Sequence, residues 1–215
     1  MMLIGDYLRE TISGKTLYRI LFQQEVFKAS RYIKGRVLDI GSGGNLTYAK
    51  YLPKEIVHIR TDYVQKEGVS QVLNFNERFP YEDSSVDTVL LFHNLYIAEK
   101  TNHVLVECRR VLKDGGCVLI SNPFGVNCMP EPRDFGRLTK EGFEKALEES
   151  NLKIELLEQI GDRFSVCAYA LNAFFLIWPV KLIFNSLALL LDTLIPSGMK
   201  RKQPFPLGYF IVAKK

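Results

Sequence analysis

Metal-binding residues are scarce in this sequence. Its 215 residues include only four cysteines and three histidines. The cysteines, Cys108, Cys117, Cys128 and Cys167, contain no C-x-x-C pair and have no histidine at metal-ligand spacing, so neither a zinc site nor a redox dithiol is indicated. No carboxylate cluster at metal-ligand spacing stands out either. We therefore expect a metal-independent protein whose cysteines are reduced, buried thiols.

Concentrated positive charge is also absent. The net charge is +4 and charged residues make up 24% of the chain, without the dense lysine and arginine stripe that is typical of nucleic-acid-binding proteins. The first fifteen residues carry early acidic side chains and no sustained apolar run, which argues against a signal peptide. We expect a cytoplasmic protein with no nucleic-acid partner.

Apolar residues, at 47% of the chain, are sufficient for one domain over residues 1–215. Helix-like and strand-like segments alternate, which predicts a doubly wound α/β sheet behind a helical cap at residues 1–35. The expected strands include RVLDI, VHIRTDY, SSVDTVLLFHNL, CVLISNPF, KIELLEQIG and the final LGYFIVAKK. The expected helices include LTYAKYL, NHVLVECRRVL and TKEGFEKALEESN, the last with Thr139 as its N-cap, and DGG is expected to form a turn.

An apolar insertion at residues 162–206 interrupts this alternation. Lys181 is the only charge between Arg163 and Asp192, and Pro179 predicts a break between two helices. Each helix would have about 15 residues and a length of roughly 22 Å, short of the roughly 30 Å needed to cross a bilayer. Within the insertion, residues 164–196 could cover the active site, pair two subunits, or contact a membrane surface beside the basic MKRK.

The glycine-rich turn in RVLDIGSGGN, residues 36–45, predicts a ligand site. A dinucleotide turn requires glycine at its sixth position, where this chain has Leu46, and a P-loop requires a lysine, which does not appear before Lys50. Two carboxylates remain: Asp39 precedes the turn, and Asp62 ends the next strand about twenty residues later. A carboxylate in the second position can accept both hydroxyl groups of a ribose.

These motifs together resemble those of the class I S-adenosylmethionine-dependent methyltransferases, in particular the methyltransferase type 11-like group. VLDIGSGGN resembles the first motif, NFNERFPYEDSSVDTVLL the segment before the fourth strand, and RRVLKDGGCVLIS the helix and turn before the fifth. The resemblance covers about residues 30 to 161 and the final strand. It implies a seven-stranded Rossmann-like methyltransferase sheet, with the apolar insertion before the last strand, and S-adenosylmethionine as cofactor.

The resemblance also implies roles for individual residues. The glycine turn would hold the methionine portion of the cofactor, with Asp39 ordering the loop. Asp62 would bind the ribose, Tyr63 would pack on the adenine, and Asn74 would accept from the adenine amino group in place of the aspartate usual in the family. The implied cofactor-binding residues are Asp39, Gly41, Ser42, Gly43, Asp62, Tyr63, Asn74, Phe75 and Phe92.

His93 is the candidate general base, because it follows the strand that ends near the cofactor's methyl group. The alternative is that it only lines the pocket. Asp134 and Arg137 are candidates for contact with the acceptor, or else form a salt bridge at the start of a helix. His58 is expected at the surface.

The predicted function is methyl transfer to an oxygen or nitrogen of a small-molecule, saccharide or lipid-linked acceptor. Two alternatives remain: a catalytically silent methyltransferase-like partner subunit, and a nicotinamide oxidoreductase. The predicted partners are the acceptor and, through the insertion, either a membrane surface contacted peripherally or a second copy in a homodimer.

Overall fold

A computed structural model of the chain describes residues 4–44, 46–129, 133–174 and 177–215. Seven strands form one mixed sheet in the order β3-β2-β1-β4-β5-β7-β6. The strands β3, β2, β1, β4 and β5 run parallel to one another, and β7 is antiparallel to both of its neighbours, β5 and β6. The strands are β1 (Arg36–Ile40), β2 (Val57–Asp62), β3 (Gln71–Val72), β4 (Val86–Phe92), β5 (Leu112–Pro123), β6 (Lys153–Ile160) and β7 (Gly208–Lys214). The predicted doubly wound seven-stranded sheet is confirmed.

The central strands are apolar on both faces because helices cover both sides of the sheet. In β4 six of the seven residues are buried, and Leu38, Val89 and Leu119 are fully buried in the middle of the sheet. Since β1, β2 and β4 run parallel, their carboxyl ends meet at one edge. That edge receives the glycine turn after β1, the acid that ends β2, and the histidine that follows β4.

Four helices outside the insertion cover the sheet: α1 (Ile4–Ile12), α2 (Leu17–Ala29), α3 (Thr101–Val111) and α4 (Lys140–Glu149). The helices α3 and α4 contribute to the apolar cluster on one face, and α2 contributes to the cluster on the other. The predicted N-cap is confirmed, since the Thr139 hydroxyl accepts the N–H of Gly142 at 3.1 Å.

Three local predictions need correction. The segment LTYAKYL forms only a short 3₁₀ turn at Ala49–Tyr51. The DGG turn lies inside β5 as a bulge, because Val86 pairs with Leu112 whereas Thr88 pairs with Cys117. Among the cysteines, Cys108 and Cys117 are buried as expected, but Cys128 and Cys167 are exposed.

The insertion folds as three helices: α5 (Arg163–Ala170), α6 (Trp178–Leu194) and the short α7 (Ser197–Lys202). The predicted break near Pro179 is confirmed, because α6 begins at Trp178 with the proline in its first turn, where its missing N–H is not needed. The equal lengths predicted for the two helices are wrong, since α5 has 8 residues and α6 has 17. In the described part of the chain, no helix is long and apolar enough to cross a membrane.

Candidate cofactor and acceptor site

A cavity of about 950 Å³ opens at the carboxyl ends of β1, β2 and β4. This volume lies near the upper end of the roughly 300–1,000 Å³ typical of small-molecule sites. Nine of the residues predicted from the sequence line it: Gly41, Ser42, Gly43, Asp62, Tyr63, Asn74, Phe75, Phe92 and His93. The fold therefore brings the predicted cofactor residues and the candidate base to one cavity.

Glycine is required in the turn after β1 for steric reasons. Gly41 and Gly43 have φ values of 63° and 67°, in the left-handed region that favours glycine. A Cβ on Gly41 would also lie 2.5 Å from Oδ1 of Asn94. A Cβ on Gly43 would meet only the Asp62 carboxylate, at 3.9 Å, so the backbone there faces open space that a ligand can approach.

Residues at the end of β2 hold this turn in place. The Oδ2 of Asp62 accepts the N–H of Gly43 at 2.9 Å, and the Ser42 N–H donates to the Thr61 carbonyl at 2.8 Å. The Arg60 guanidinium donates to the carbonyl oxygens of Gly43 at 2.7 Å and Gly44 at 3.1 Å. The role of Arg60 could not be predicted from the sequence, because the contact joins β2 to a turn that lies 17 and 16 residues earlier in the chain.

Asp39 lies beneath the turn and is fully buried. Its carboxylate accepts the Tyr48 hydroxyl at 2.7 Å and lies 2.8 Å from Nε2 of His58. Burial raises the pKa of Asp39, while the hydrogen bond with His58 acts in the opposite direction. The expected surface position of His58 is wrong, since only 20% of its side chain is exposed. Asp39 therefore connects the segment after the turn to β2, and its predicted roles in ordering the loop and contacting the cofactor stay predictions.

The polar groups around the cavity fit S-adenosylmethionine. Asp62 stands at the end of β2, where its carboxylate also accepts the Val64 N–H at 3.1 Å and pairs with the half-exposed Lys66 ammonium at 3.4 Å, a long surface contact that ribose hydroxyls can replace. The Asn74 oxygen accepts the Asn76 N–H at 3.1 Å, which holds the amide at the cavity wall. Phe75 beside it is buried, and Tyr63 is largely exposed.

His93 is held at the cavity wall in an unusual backbone conformation. Its φ is 59°, a value uncommon for a residue other than glycine and often found at functional sites. Its N–H donates to the Ser121 carbonyl at 2.7 Å, its Nδ1 lies 3.1 Å from the Tyr18 hydroxyl, and its ring packs edge-on against Phe22. Burial, with a smaller contribution from Arg19, lowers the pKa of His93 to about 3, so the imidazole is neutral at neutral pH.

Asp134 and Arg137 pair with each other, as in the salt-bridge alternative. The Asp134 carboxylate also accepts the Met129 N–H at 3.1 Å, and the Arg137 guanidinium lies 5.1 Å from the centre of the Tyr96 ring. Neither is among the described residues that line the cavity, whereas Tyr96 is. Their effect on an acceptor would therefore be exerted through Tyr96.

The helical cap and the segment before α4 supply cavity residues that sequence reasoning missed. These are Arg19 and Phe22 from α2, and Arg133 and Phe135 from the later segment. A helix that packs over the carboxyl edge of a sheet can place side chains in the site, but its docking position is a tertiary property that periodicity does not reveal.

The part of the chain that supplies most of the cavity lining matches a known family. Residues 38–120 match the family model described as a methyltransferase domain. Over 109 residues the chain is 30% identical to an uncharacterised protein of Methanocaldococcus jannaschii, an alignment covering 47% of this chain and 51% of that protein. The chain thus spans about half the length of the curated relative it matches.

Solved structures share the fold. A SAM-dependent methyltransferase from Archaeoglobus fulgidus aligns with a TM-score of 0.62 and 19% identity, over 99% of this chain and 100% of that one. A chain from the Haloferax volcanii complex that contains the Trm112 methyltransferase activator aligns with a TM-score of 0.57 and 16% identity, over 90% of this chain and 88% of that one. The cyclase SpnF aligns with a TM-score of 0.56 and 18% identity, over 90% of this chain and 79% of that one. Identities this low show the fold alone, and a fold does not specify a reaction.

Proposed function

We propose that this chain is a class I S-adenosylmethionine-dependent methyltransferase that methylates an oxygen or nitrogen of a small-molecule, saccharide or lipid-linked acceptor. The methyltransferase match over residues 38–120 and the shared fold support the predicted family and cofactor. The acceptor and the atom that is methylated belong to the proposal.

One observation carries the proposal: a single cavity contains both the cofactor residues and a neutral histidine. The glycine turn, Asp62 and Asn74 line the same space as His93 and Phe22. Two ligands can therefore meet there, because a volume of about 950 Å³ is ample for a cofactor and a small second ligand.

In this reaction the chain must align the nucleophile with the methyl group and remove a proton from the nucleophile. S-adenosylmethionine supplies an electrophilic methyl group when bound, and alignment of a nucleophile with it can provide much of the acceleration. An attacking hydroxyl or amine must lose a proton. His93 is neutral at neutral pH, so one ring nitrogen has a lone pair that can accept this proton. If Nδ1 carries the hydrogen and donates to Tyr18, Nε2 is the accepting atom.

Two arginines support an acceptor that bears an acidic group. Arg19 and Arg133 line the cavity, and neither forms an ion pair with any residue in the described ranges. Arginine binds phosphate and carboxylate groups through two parallel hydrogen bonds. Within the proposed range of acceptors, they favour a phosphate-containing saccharide or lipid-linked molecule.

The test is transfer of radiolabelled methyl groups from S-adenosylmethionine into cell extract, separated afterwards into lipid and water-soluble fractions. We expect label in one fraction with the intact protein and a large loss with Asp62→Ala. Label in lipid would identify a lipid-linked acceptor, and label in the soluble fraction a free one. Equal labelling by the intact protein and the variant would contradict the proposal.

The alternative is a methyltransferase-like partner subunit without activity of its own. The likeness to a chain of the Haloferax volcanii complex with a methyltransferase activator supports binding to a partner, as does the exposed apolar surface of the insertion. The two functions differ in one outcome: a silent subunit would bind S-adenosylhomocysteine, or nothing, and transfer no label in any fraction.

A further inference from the structure

The helix α6 presents a stripe of large apolar side chains to solvent. Ile183, Leu187, Leu190 and Leu194 follow one another at helical spacing and are 65%, 48%, 59% and 70% exposed. Ile177 and Trp178 extend the exposed apolar surface at the start of the helix. A stripe of this length is unusual on the surface of a globular protein and indicates an interaction site.

Two polar residues of α6, Asn185 and Asp192, are buried, so the stripe does not arise from a misplaced amphipathic helix. Asn185 and Asp192 are 2% and 7% exposed. The Asp192 carboxylate accepts the N–H groups of Asp162 at 3.1 Å, Phe164 at 2.9 Å and Ser165 at 3.2 Å. These groups lie at the amino end of α5, where a carboxylate is stabilised by the helix dipole. Asp192 therefore fixes α6 on α5 with its leucines outward.

Positive charge flanks the stripe. Lys181 lies in the first turns of α6, and Lys200, Arg201 and Lys202 follow shortly after its end, in α7. Residues 163–215 contain seven basic side chains and one acidic one, the buried Asp192. In the described part of the chain, no acidic side chain forms an ion pair with Lys181, Lys200, Arg201 or Lys202.

An apolar groove adjoins the same surface. It lies between the end of α1 and the start of α6, has a volume of about 490 Å³, and is lined by Ile12, Ile177, Trp178 and Pro179, with Lys181 beside them. An apolar groove with a cation at its side suits an acyl chain attached to an anionic headgroup.

We propose that the exposed face of α6 docks on the surface of an anionic lipid bilayer, with its apolar stripe in the acyl boundary and the flanking basic residues against the headgroups. A helix of 17 residues is about 25 Å long, so it lies in the interface and does not cross it. The proposal goes beyond the proposed function and does not depend on the acceptor.

Charge favours a membrane over a second copy of the chain. A two-fold dimer through this face would place the same surface on both sides. Lys181 and the three basic residues of α7 would then lie opposite identical charges, an arrangement that like-charge repulsion disfavours. Anionic headgroups provide the complementary sign, and each lysine or arginine near such a surface contributes about 1 kcal/mol.

The test is flotation of the full chain with phosphatidylcholine vesicles and with vesicles of equal parts phosphatidylcholine and phosphatidylglycerol. We expect the protein to float with the anionic vesicles, to bind the neutral ones much less, and to dissociate in high salt. The paired substitution Leu190→Glu and Leu194→Glu should reduce partitioning roughly tenfold or more. Replacing Lys200, Arg201 and Lys202 by Gln should reduce it on the order of 100-fold.

Matched variants elsewhere on the surface show whether a loss of vesicle binding is specific to the exposed face of α6 and to α7. The paired substitution Val57→Glu and Val106→Glu introduces the same two charges at exposed apolar sites on β2 and α3. Replacing Lys54, Lys145 and Lys153 by Gln removes the same three charges from exposed positions elsewhere. Both should float like the intact protein. Circular dichroism and urea unfolding, measured on every variant, show whether the chain is folded even if it binds no cofactor, which keeps this result separate from the proposed function.

Three outcomes would overturn the proposal. The chain could remain in the soluble fraction with anionic vesicles. The matched variants could lose binding as strongly as the variants in α6 and α7. A stable dimer that does not float, and that Leu190→Glu and Leu194→Glu dissociate, would show that a second copy occupies the face.

Discussion

The hydroxyl of Tyr18 lies 3.1 Å from Nδ1 of His93. This contact joins α2 of the helical cap to the residue that follows β4, across 75 positions of the sequence. Phe22, one turn further along α2, packs edge-on against the same imidazole. The cap therefore does more than cover the sheet, because it orients the candidate base at the cavity wall.

Replacing His93 tests its catalytic role. Asn is the appropriate substitute, since it tolerates the left-handed backbone at this position but cannot accept a proton as imidazole does. We expect His93→Asn to lower kcat roughly 100-fold, at the low end for a general base because the pKa is low. The affinity for S-adenosylhomocysteine, measured by calorimetry, should not change. A kcat within twofold of the intact protein would leave His93 as a pocket residue only.

Tyr18 is predicted to act through His93 as a positioning residue. Tyr18→Phe removes the hydroxyl that bonds Nδ1 and should lower kcat several-fold with little effect on KM. In a background that already carries His93→Asn, the same substitution should have no further effect, because residues that act on one another are not additive. Equal losses in both backgrounds would show that Tyr18 acts independently of His93.

The lowered pKa of His93 predicts a dependence of stability on pH. Its pKa is about 3 in the folded chain against an ordinary value of 6.5, so between these values the unfolded state binds a proton that the folded state does not. The contribution of His93 to the free energy of unfolding must therefore fall as the pH decreases below 6.5.

Urea unfolding at pH 7 and pH 5 measures this effect. Other groups contribute equally in both proteins, so the comparison is between the intact chain and His93→Asn. We expect the intact chain to lose more stability between the two pH values than the variant. Identical losses would mean that His93 titrates normally in the folded state.

Asp192 is predicted to be the main polar support of the insertion. Asp192→Ala would leave the buried N–H groups at the start of α5 without their acceptor. We expect a loss of about 2–4 kcal/mol in the free energy of unfolding, measured with urea, since each unsatisfied buried donor costs about 1–3 kcal/mol. Asp114→Ala, at a position that is almost fully exposed, is the control and should have no measurable effect. A comparably small effect of Asp192→Ala would show that apolar packing alone holds α5 and α6 together.

The order of the elements could be predicted from the sequence because it depends on local periodicity and turn residues. The position of β7 could not, because a strand that pairs antiparallel between β5 and β6 has the same apolar pattern as an edge strand. Which face of α6 is buried could not be predicted either, because a helix that is apolar on most sides has no single apolar face in its sequence pattern. The structure shows which face is buried through the low exposure of Asn185, Ala188 and Asp192.

Within the site, the residues that follow strands were predictable and those that reach it from other elements were not. Gly41, Asp62 and His93 follow β1, β2 and β4 directly, and parallel strands bring their carboxyl ends together. Arg60 and Tyr48 act through contacts between different elements. For Asp134 and Arg137 the sequence leaves acceptor contact and a salt bridge as alternatives. The two residues pair with each other, and their neighbours Arg133 and Phe135 line the cavity.

The most direct test of the account is calorimetric titration of the intact chain with S-adenosylhomocysteine, repeated on Asp62→Ala and on the control Asp114→Ala. The account predicts one binding site per chain, affinity reduced roughly tenfold or more by Asp62→Ala through loss of charge-assisted hydrogen bonds, and unchanged affinity in Asp114→Ala. No heat of binding in the intact chain, or equal affinity in Asp62→Ala, would contradict it.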